Sequence, residues 1–247
     1  MTRIFLCSVL LATSAFGQWK KLPSNVPVGR DGKPNLNAPA PKLIGGHPDL
    51  SGIWQANGPK YLRVLTDPKE VPFQPWAKKL YDERADGRDA KIESDANCLP
   101  QGVPKIAATP VPYKFIQTPG EVVILYEAFN LWRQVFLDGR EFADDLNPSW
   151  LGYSIGHYEG DTLVIETRGF NGKTWLDQAG LPTTEKLKVT ERIRRKDFGH
   201  LELRVTVDDS GAYTRPFTII EDPVLQVNTE LIEFICGENE RDLVHLK

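Results

Sequence analysis

The sequence predicts an all-β protein whose strands form an antiparallel, up-and-down sheet that closes into a barrel. From residue 113 onward, short segments of alternating apolar and polar residues recur at regular spacing, with turn residues between them. Closure into a barrel removes the exposed edges of such a sheet, and a sandwich of two sheets is the alternative. The predicted strands are Asp49–Ala56, Tyr113–Thr118, Glu121–Ala128, Leu131–Leu137, Gly152–Tyr158, Thr162–Arg168, Lys186–Arg195, His200–Asp208, Tyr213–Glu221 and Glu230–Cys236.

The first 17 residues have the layout of a secretory signal peptide. Arg3 supplies a positive start, Ile4–Phe16 is apolar, and Ala15-Phe16-Gly17 resembles a cleavage site. The apolar run is too short to cross a membrane as a helix. We therefore expect export to the periplasm or the extracellular space, with residues 1–17 removed and no transmembrane segment.

The remaining chain is expected to hold an extended arm at residues 18–48 and a single barrel domain at residues 49–247. The arm is rich in Pro, Gly, Asn and Lys and has no periodicity. One short helix is predicted at Trp76–Asp86, because Trp76, Leu80 and Arg84 recur at helical spacing and Gly87 follows.

Two cysteines, Cys98 and Cys236, lie beyond the predicted signal peptide. A pair of cysteines in an exported protein indicates a disulfide. We expect this bond to tie an irregular, proline-rich segment to the C-terminal strand. On a chain-entropy model, closing so long a loop stabilises the fold by about 4 kcal/mol.

Composition and spacing argue against several classes of function. A net charge of −3 gives no basic footprint for nucleic acid. The histidines at positions 47, 157, 200 and 245 are too far apart in sequence to form a zinc motif. We expect no metal, no other cofactor and no nucleic-acid partner.

A predicted hairpin at the centre of the chain carries the most reactive set of side chains. Glycine readily adopts the positive φ of tight hairpin turns, so Gly160-Asp161 is expected to form a two-residue turn. Ile155 then pairs with Glu166, and His157 pairs with Val164. We interpret one face as a candidate acid–base site and the other as ordinary packing. The candidate face holds Tyr153, Ile155, His157, Val164, Glu166 and Arg168, and the packing face holds Ser154, Gly156, Tyr158, Leu163, Ile165 and Thr167.

Charged residues also interrupt the apolar faces of other strands. Glu191 alternates with Leu187, Val189 and Ile193 and is expected to point inward. A buried carboxylate must find a partner or stay protonated, and Arg133 is one candidate partner. We add both to the catalytic candidates; a purely structural ion pair is the alternative.

Three further residues are candidate ligand contacts. Glu127 shares a strand face with Val123 and Leu125 and is expected to point inward. Trp150 and Trp175 lie in turn-rich stretches, where they could line the barrel mouth or contact a sugar or a flat apolar ligand. Core packing is the default role for such large aromatic side chains.

Several motifs resemble those of a family of exported bacterial proteins that has no characterised function. The chain carries DLSGIW at residues 49–54, CLPQGVP at 98–104, and GYSIGHYEGDTLV at 152–164. TEKLKVTERIRRKDFGHL and CGEN follow at 184–201 and 236–239, and the resemblance covers roughly residues 49–239. At the level of fold, the strand pattern is also similar to lipocalin-like barrels.

The chain departs from the family pattern at three places. Tyr158 stands where relatives usually have Trp, and Glu141-Phe142 stands where they tend to have a His. Thr183-Thr184 replaces the middle of a PHSE-like run. If those histidines bind a metal together with His157 in relatives, this chain has lost the site.

We therefore expect the protein to handle a small, largely apolar or aromatic molecule in the barrel interior. Acid–base catalysis without a metal, as in a lyase, isomerase or hydrolase, would use Tyr153, Arg133, His157, Glu166 and Glu191. A carrier without chemistry is one alternative. A cell-surface or carbohydrate-contacting module with a solidly packed interior is another, because small barrels are often filled by their own side chains.

Overall fold

The computed structural model describes residues 25–57, 65–84 and 90–238. The predicted signal peptide and residues 18–24 of the predicted arm lie outside the described residues. None of the helices among the described residues is long and apolar enough to cross a membrane.

A single curled sheet of ten strands dominates the fold and forms a half-barrel, which confirms the prediction of an all-β, barrel-like protein. The order of strands across the sheet is β10-β1-β2-β3-β4-β5-β6-β7-β8-β9, so most neighbours in sequence are neighbours in space. The strands are β1 (Gly52–Gln55), β2 (Tyr113–Thr118), β3 (Glu121–Tyr126), β4 (Leu131–Phe136), β5 (Tyr153–Glu159), β6 (Thr162–Arg168), β7 (Lys188–Arg195), β8 (Leu201–Asp208), β9 (Phe217–Glu221) and β10 (Val224–Gln226).

Two α-helices accompany the sheet in the described part of the chain. Helix α1 (Pro75–Arg84) corresponds to the predicted short helix and buries Ala77 and Tyr81. Helix α2 (Lys105–Ala108) is a single turn, and all four of its residues are buried. Short 3₁₀ segments lie at Ala90–Ile92, Asp95–Asn97 and Ala128–Asn130.

Two features of the sheet differ from the prediction. Strands β4 and β5 are parallel, because the connection at residues 137–152 brings the chain back before β5 begins. The predicted strand Glu230–Cys236 is absent, because its backbone groups bond to side chains. The Ile232 N–H donates to Glu127 Oε2, and the Phe234 N–H and carbonyl bond to the Asn130 side-chain amide. Among the residues that the structure describes, the last strand is instead β10.

The two outermost strands of the sheet, β9 and β10, follow one another in the chain. Val224 in β10 pairs with β1 and also bridges to His200 at the start of β8. Leu225 donates its backbone N–H to the Gly199 carbonyl at 2.8 Å. The chain therefore passes from one edge of the curled sheet to the other at this point.

The concave face of the sheet is filled by the protein itself. Residues 101–109, which include α2, are all buried against it. Leu50 and Trp54 are fully buried. The enclosed cavity beside Tyr113, Tyr126 and Glu191 measures about 10 Å³, which is room for one water molecule at most.

Residues 36–38 of the arm contact the turn between β7 and β8, and the disulfide links Cys98 to Cys236, which follows β10. Leu36 and Ala38 accept backbone hydrogen bonds from Gly199 and Phe198 at 2.7 Å. The predicted disulfide Cys98–Cys236 is confirmed, with 5.6 Å between the Cα atoms.

Candidate binding groove

The central hairpin has the predicted register, and its faces can now be assigned. Ile155 pairs with Glu166, and His157 pairs with Val164. The side chains of His157 and Glu166 are 54% and 40% exposed, and His157 contacts Glu159 at 3.2 Å. The predicted acid–base face is therefore the outer face of the sheet, while Ser154 and Thr167 point to the concave side.

Arg133 and Glu191 lie on that concave side, where they form a buried ion pair. Arg133 Nε donates to Ser154 Oγ at 2.8 Å, and its Nη2 donates to Thr167 Oγ1 at 2.6 Å. Burial lowers the pKa of Arg133, but the interactions with Glu191 and Tyr126 raise this pKa by a larger amount. The net shift is upward, so the guanidinium stays charged. The expectation that Arg133 is the partner of Glu191 is confirmed.

The five catalytic candidates thus fall into two groups on opposite faces of the sheet. Arg133 and Glu191 are buried, whereas Tyr153, His157 and Glu166 are at least partly exposed on the outside. The expectation that all five converge in a barrel interior is wrong. Alternation along a strand identifies which side chains share a face, but it does not bring opposite faces together.

Two of the three candidate ligand contacts do not lie where the sequence predicted them. Glu127 lies outside the core, and its Oε2 accepts a hydrogen bond from the Ile232 N–H at 3.0 Å. Trp175 is only 6% exposed and packs under Arg84, with 4.2 Å from the guanidinium carbon to the ring centroid. It does not line a barrel mouth. Trp150 is partly exposed and lines an open groove.

This groove separates β4 from residues 149–153 and has a volume of about 430 Å³. It exists because β4 and β5 pair only through Val135–Ser154 and Phe136–Ile155, so the strands diverge before these residues. The wall is mainly apolar and aromatic. The lining residues are Pro100, Asn130, Leu131, Trp132, Arg133, Gln134, Phe136, Ser149, Trp150, Leu151, Gly152, Tyr153 and Ser154.

Aromatic and arginine side chains continue from the groove along the outer face. Tyr153 stacks on Phe136 with 5.4 Å between ring centroids, and its hydroxyl accepts a hydrogen bond from Arg140 at 2.9 Å. The Arg140 guanidinium lies 3.7 Å from the Phe136 ring centroid. These contacts fix the orientation of the Tyr153 ring at the groove wall.

Trp132 is the groove residue that the sequence analysis missed as a ligand contact. It is 61% exposed, although large aromatic side chains are usually buried. The signal was present in the strand pattern, because Trp132 alternates with Arg133 and Val135 and must therefore face outward when these two face the core.

The described residues contain no cluster of His, Cys, Asp or Glu side chains arranged to hold a metal ion. Comparison with models of known protein families, with curated proteins and with solved structures found no significant match.

Proposed function

We propose that this protein binds a small, largely apolar or aromatic molecule in the groove between β4 and residues 149–153. The observation that carries the proposal is the exposed Trp132 indole beside Phe136, Trp150 and Tyr153 in one concavity. Concave, mainly apolar sites with a few polar groups are the usual form of small-molecule sites.

The groove is a better candidate than the interior of the sheet. A cavity of about 10 Å³ beside Tyr126 and Glu191 cannot accept an organic molecule. Residues 101–109 would have to leave the concave face to make room, and they are buried throughout. The packed interior therefore supports a surface site over a carrier of the lipocalin kind.

Binding without chemistry is also favoured over acid–base catalysis. Arg133 and Glu191 pair with one another on the buried side of the sheet. His157 and Glu166 are not among the residues that line the groove, and His157 is engaged by Glu159. A general acid or base must reach the proton it transfers, and Tyr153 alone of the outward candidates lines the groove.

The proposal also includes a lipocalin-like barrel, membership of the exported bacterial family, and export. The sequential order of strands and the junction of β9 with β10 support a lipocalin-like barrel, although the parallel β4–β5 pair departs from that pattern. Membership of the exported bacterial family rests on the motifs at residues 49–54, 98–104 and 152–164. Export to an oxidising compartment is supported by the disulfide.

The experiment uses 2-naphthol as a flat aromatic probe and isothermal titration calorimetry as the readout. We expect Trp132→Ala to weaken binding at least tenfold. Ile220→Ala is the matched control, because Ile220 is an exposed outer-face residue on β9, and it should leave the affinity unchanged. Equal affinities for both variants, or no binding by the unaltered protein, would overturn the proposal.

A second measurement asks what the protein carries when it is isolated. Native mass spectrometry of the oxidised protein should show a bound mass that organic extraction releases and that Trp132→Ala reduces. A bound molecule retained equally by Trp132→Ala would place the site elsewhere and count against the groove.

A further inference from the structure

The groove is lined by consecutive residues on both of its sides. One side contributes Leu131–Gln134 and the other contributes Ser149–Ser154 without a break. Successive side chains of a strand point to opposite faces. Leu131–Gln134 belongs to β4, so its unbroken run along the wall means that the backbone edge of β4 lines the groove in addition to its side chains.

The register of β4 indicates which of its backbone groups face the groove. Leu137 donates its N–H to the Gly120 carbonyl at 2.9 Å, on the β3 side. In an antiparallel pair, residues alternate between those bonded to the partner strand and those that point away from it. Residues at steps of two before Leu137 therefore bond to β3, and these are Val135, Arg133 and Leu131. The backbone groups of Trp132 and Gln134 point away from β3.

Pairing with β5 leaves part of this edge open. Val135 bonds to β3, so its parallel bridge to Ser154 uses the Gln134 carbonyl and the Phe136 N–H, and pairing with β5 occupies β4 only from the Gln134 carbonyl onward. The N–H and carbonyl groups of Trp132 face the open part of the groove. Unpaired groups on a strand edge are a template for a further strand.

The charge of the wall indicates the charge of the occupant. Arg133 is the one charged residue among the described residues that line the groove, and Glu191 neutralises it from the concave side. An occupant with a formal charge would lose hydration without gaining a counter-charge. The wall therefore complements an uncharged chain that carries apolar side chains.

We infer that the groove binds an extended, uncharged peptide segment of about four residues, which adds to the open edge of β4. Four residues in extended form span about 13 Å, comparable with the length of Leu131–Gln134. The peptide backbone would pair with the N–H and carbonyl of Trp132 and with the N–H of Gln134. Alternate apolar side chains of the peptide would contact the rings of Trp132 and Trp150. This mode of recognition gives affinity through main-chain hydrogen bonds and specificity through side-chain pockets. The inference rests on the proposed function and names its ligand class.

The test compares acetyl-Thr-Leu-Thr-Leu-amide with two N-methylated analogues by isothermal titration calorimetry. One analogue is methylated on the first and third residues, and the other on the second and fourth. We expect the parent peptide to bind and at least one analogue to bind at least tenfold more weakly, because methylation removes the edge-facing N–H groups. Trp132→Ala should weaken binding of the parent peptide, and Ile220→Ala should not.

The outcomes separate the ligand class from the proposed function. If 2-naphthol binds in a Trp132-dependent manner but the parent peptide does not, the ligand class is wrong and the proposed function stands. If both analogues bind as well as the parent, apolar burial alone accounts for binding and strand addition is overturned. If neither 2-naphthol nor the peptide binds, both proposals fail.

Discussion

Arg133 on β4 and Glu191 on β7 form an ion pair across the concave face of the sheet, 58 residues apart in sequence. The same guanidinium donates to Ser154 on β5 and to Thr167 on β6. One side chain thus connects four adjacent strands. Because backbone pairing of β4 with β5 covers only two residue pairs, these side-chain bonds help to hold β4 to β5, β6 and β7 behind the groove.

The first prediction concerns this ion pair. Glu191→Ala should lower the free energy of unfolding by about 3–5 kcal/mol, because it leaves the Arg133 charge buried without a partner. Urea unfolding measures the change. Glu202→Ala, which removes an exposed ion pair with Arg204, is the control and should have little effect.

A double variant distinguishes a charge effect from simple loss of packing. Arg133→Met combined with Glu191→Met should lower the free energy of unfolding by less than the sum of the two single changes, because the double variant leaves no unpaired charge. Strict additivity, or a loss below about 1 kcal/mol in Glu191→Ala, would show that the pair does not hold the strands together.

The sequence predicts the faces of strands better than it predicts which face is concave. Alternation correctly places Glu191 inward with Arg133 as its partner. On the central hairpin, however, both faces mix polar and apolar residues. Ser154 and Thr167 point inward because they bind Arg133, a long-range contact that spacing along the chain does not reveal.

The groove could not be predicted from the sequence for a related reason. It depends on the parallel pairing of β4 with β5, and this pairing follows from the path of residues 137–152. That connection has no periodicity from which its course could be derived. The register of the β5–β6 hairpin was predictable because Gly160-Asp161 forms a tight local turn.

The second prediction concerns Glu221, a fully buried residue on β9 whose two carboxyl oxygens have no hydrogen-bond partner in the described structure. Burial raises the pKa of Glu221 to about 8, and the charges of Glu191 and Asp222 act in the same direction. The folded protein therefore holds this proton more tightly than the unfolded chain does. The carboxyl is neutral in the folded state at pH 7.

The sign of the pH dependence follows from this difference. Below the pKa of an unfolded Glu, about 4.5, both states are protonated. As the pH rises from there to about 8, the unfolded chain releases the proton first and stability falls, by up to about 1.4 kcal/mol per pH unit. Glu221→Gln should remove this contribution to the pH dependence. The free energy of unfolding of the variant minus that of the unaltered protein should therefore increase as the pH rises from 5 to 8.

Urea unfolding at several pH values between 5 and 9 tests the Glu221 prediction. The comparison uses the difference between the two proteins, so contributions from other titrating groups cancel. If the difference in the free energy of unfolding between the two proteins is the same at every pH, the pKa of Glu221 is close to that of an ordinary glutamate and the prediction is wrong.

The third prediction concerns His157, which the sequence placed in the candidate acid–base site. Its side chain is half exposed, and its Nε2 contacts Glu159 Oε1 on the same strand at 3.2 Å. His157→Ala should leave both the urea midpoint and the affinity for 2-naphthol unchanged, because the residue does not line the groove. Loss of binding with stability retained would return His157 to the functional site.

The last prediction concerns Gly156, which lets β5 approach β4 where the two strands do pair. A Cβ atom at this position would lie 2.9 Å from the Val164 carbonyl oxygen and 2.9 Å from Val135 Cγ1. Since both are closer than normal contacts, Gly156→Ala must displace β5, and we expect a loss of about 1–3 kcal/mol in the free energy of unfolding. Gly120→Ala is the control, because nothing lies within 4 Å of the corresponding Cβ position. Equal urea midpoints for the two variants would mean that the β4–β5 junction can widen freely, and the boundary of the groove would then not be fixed by packing.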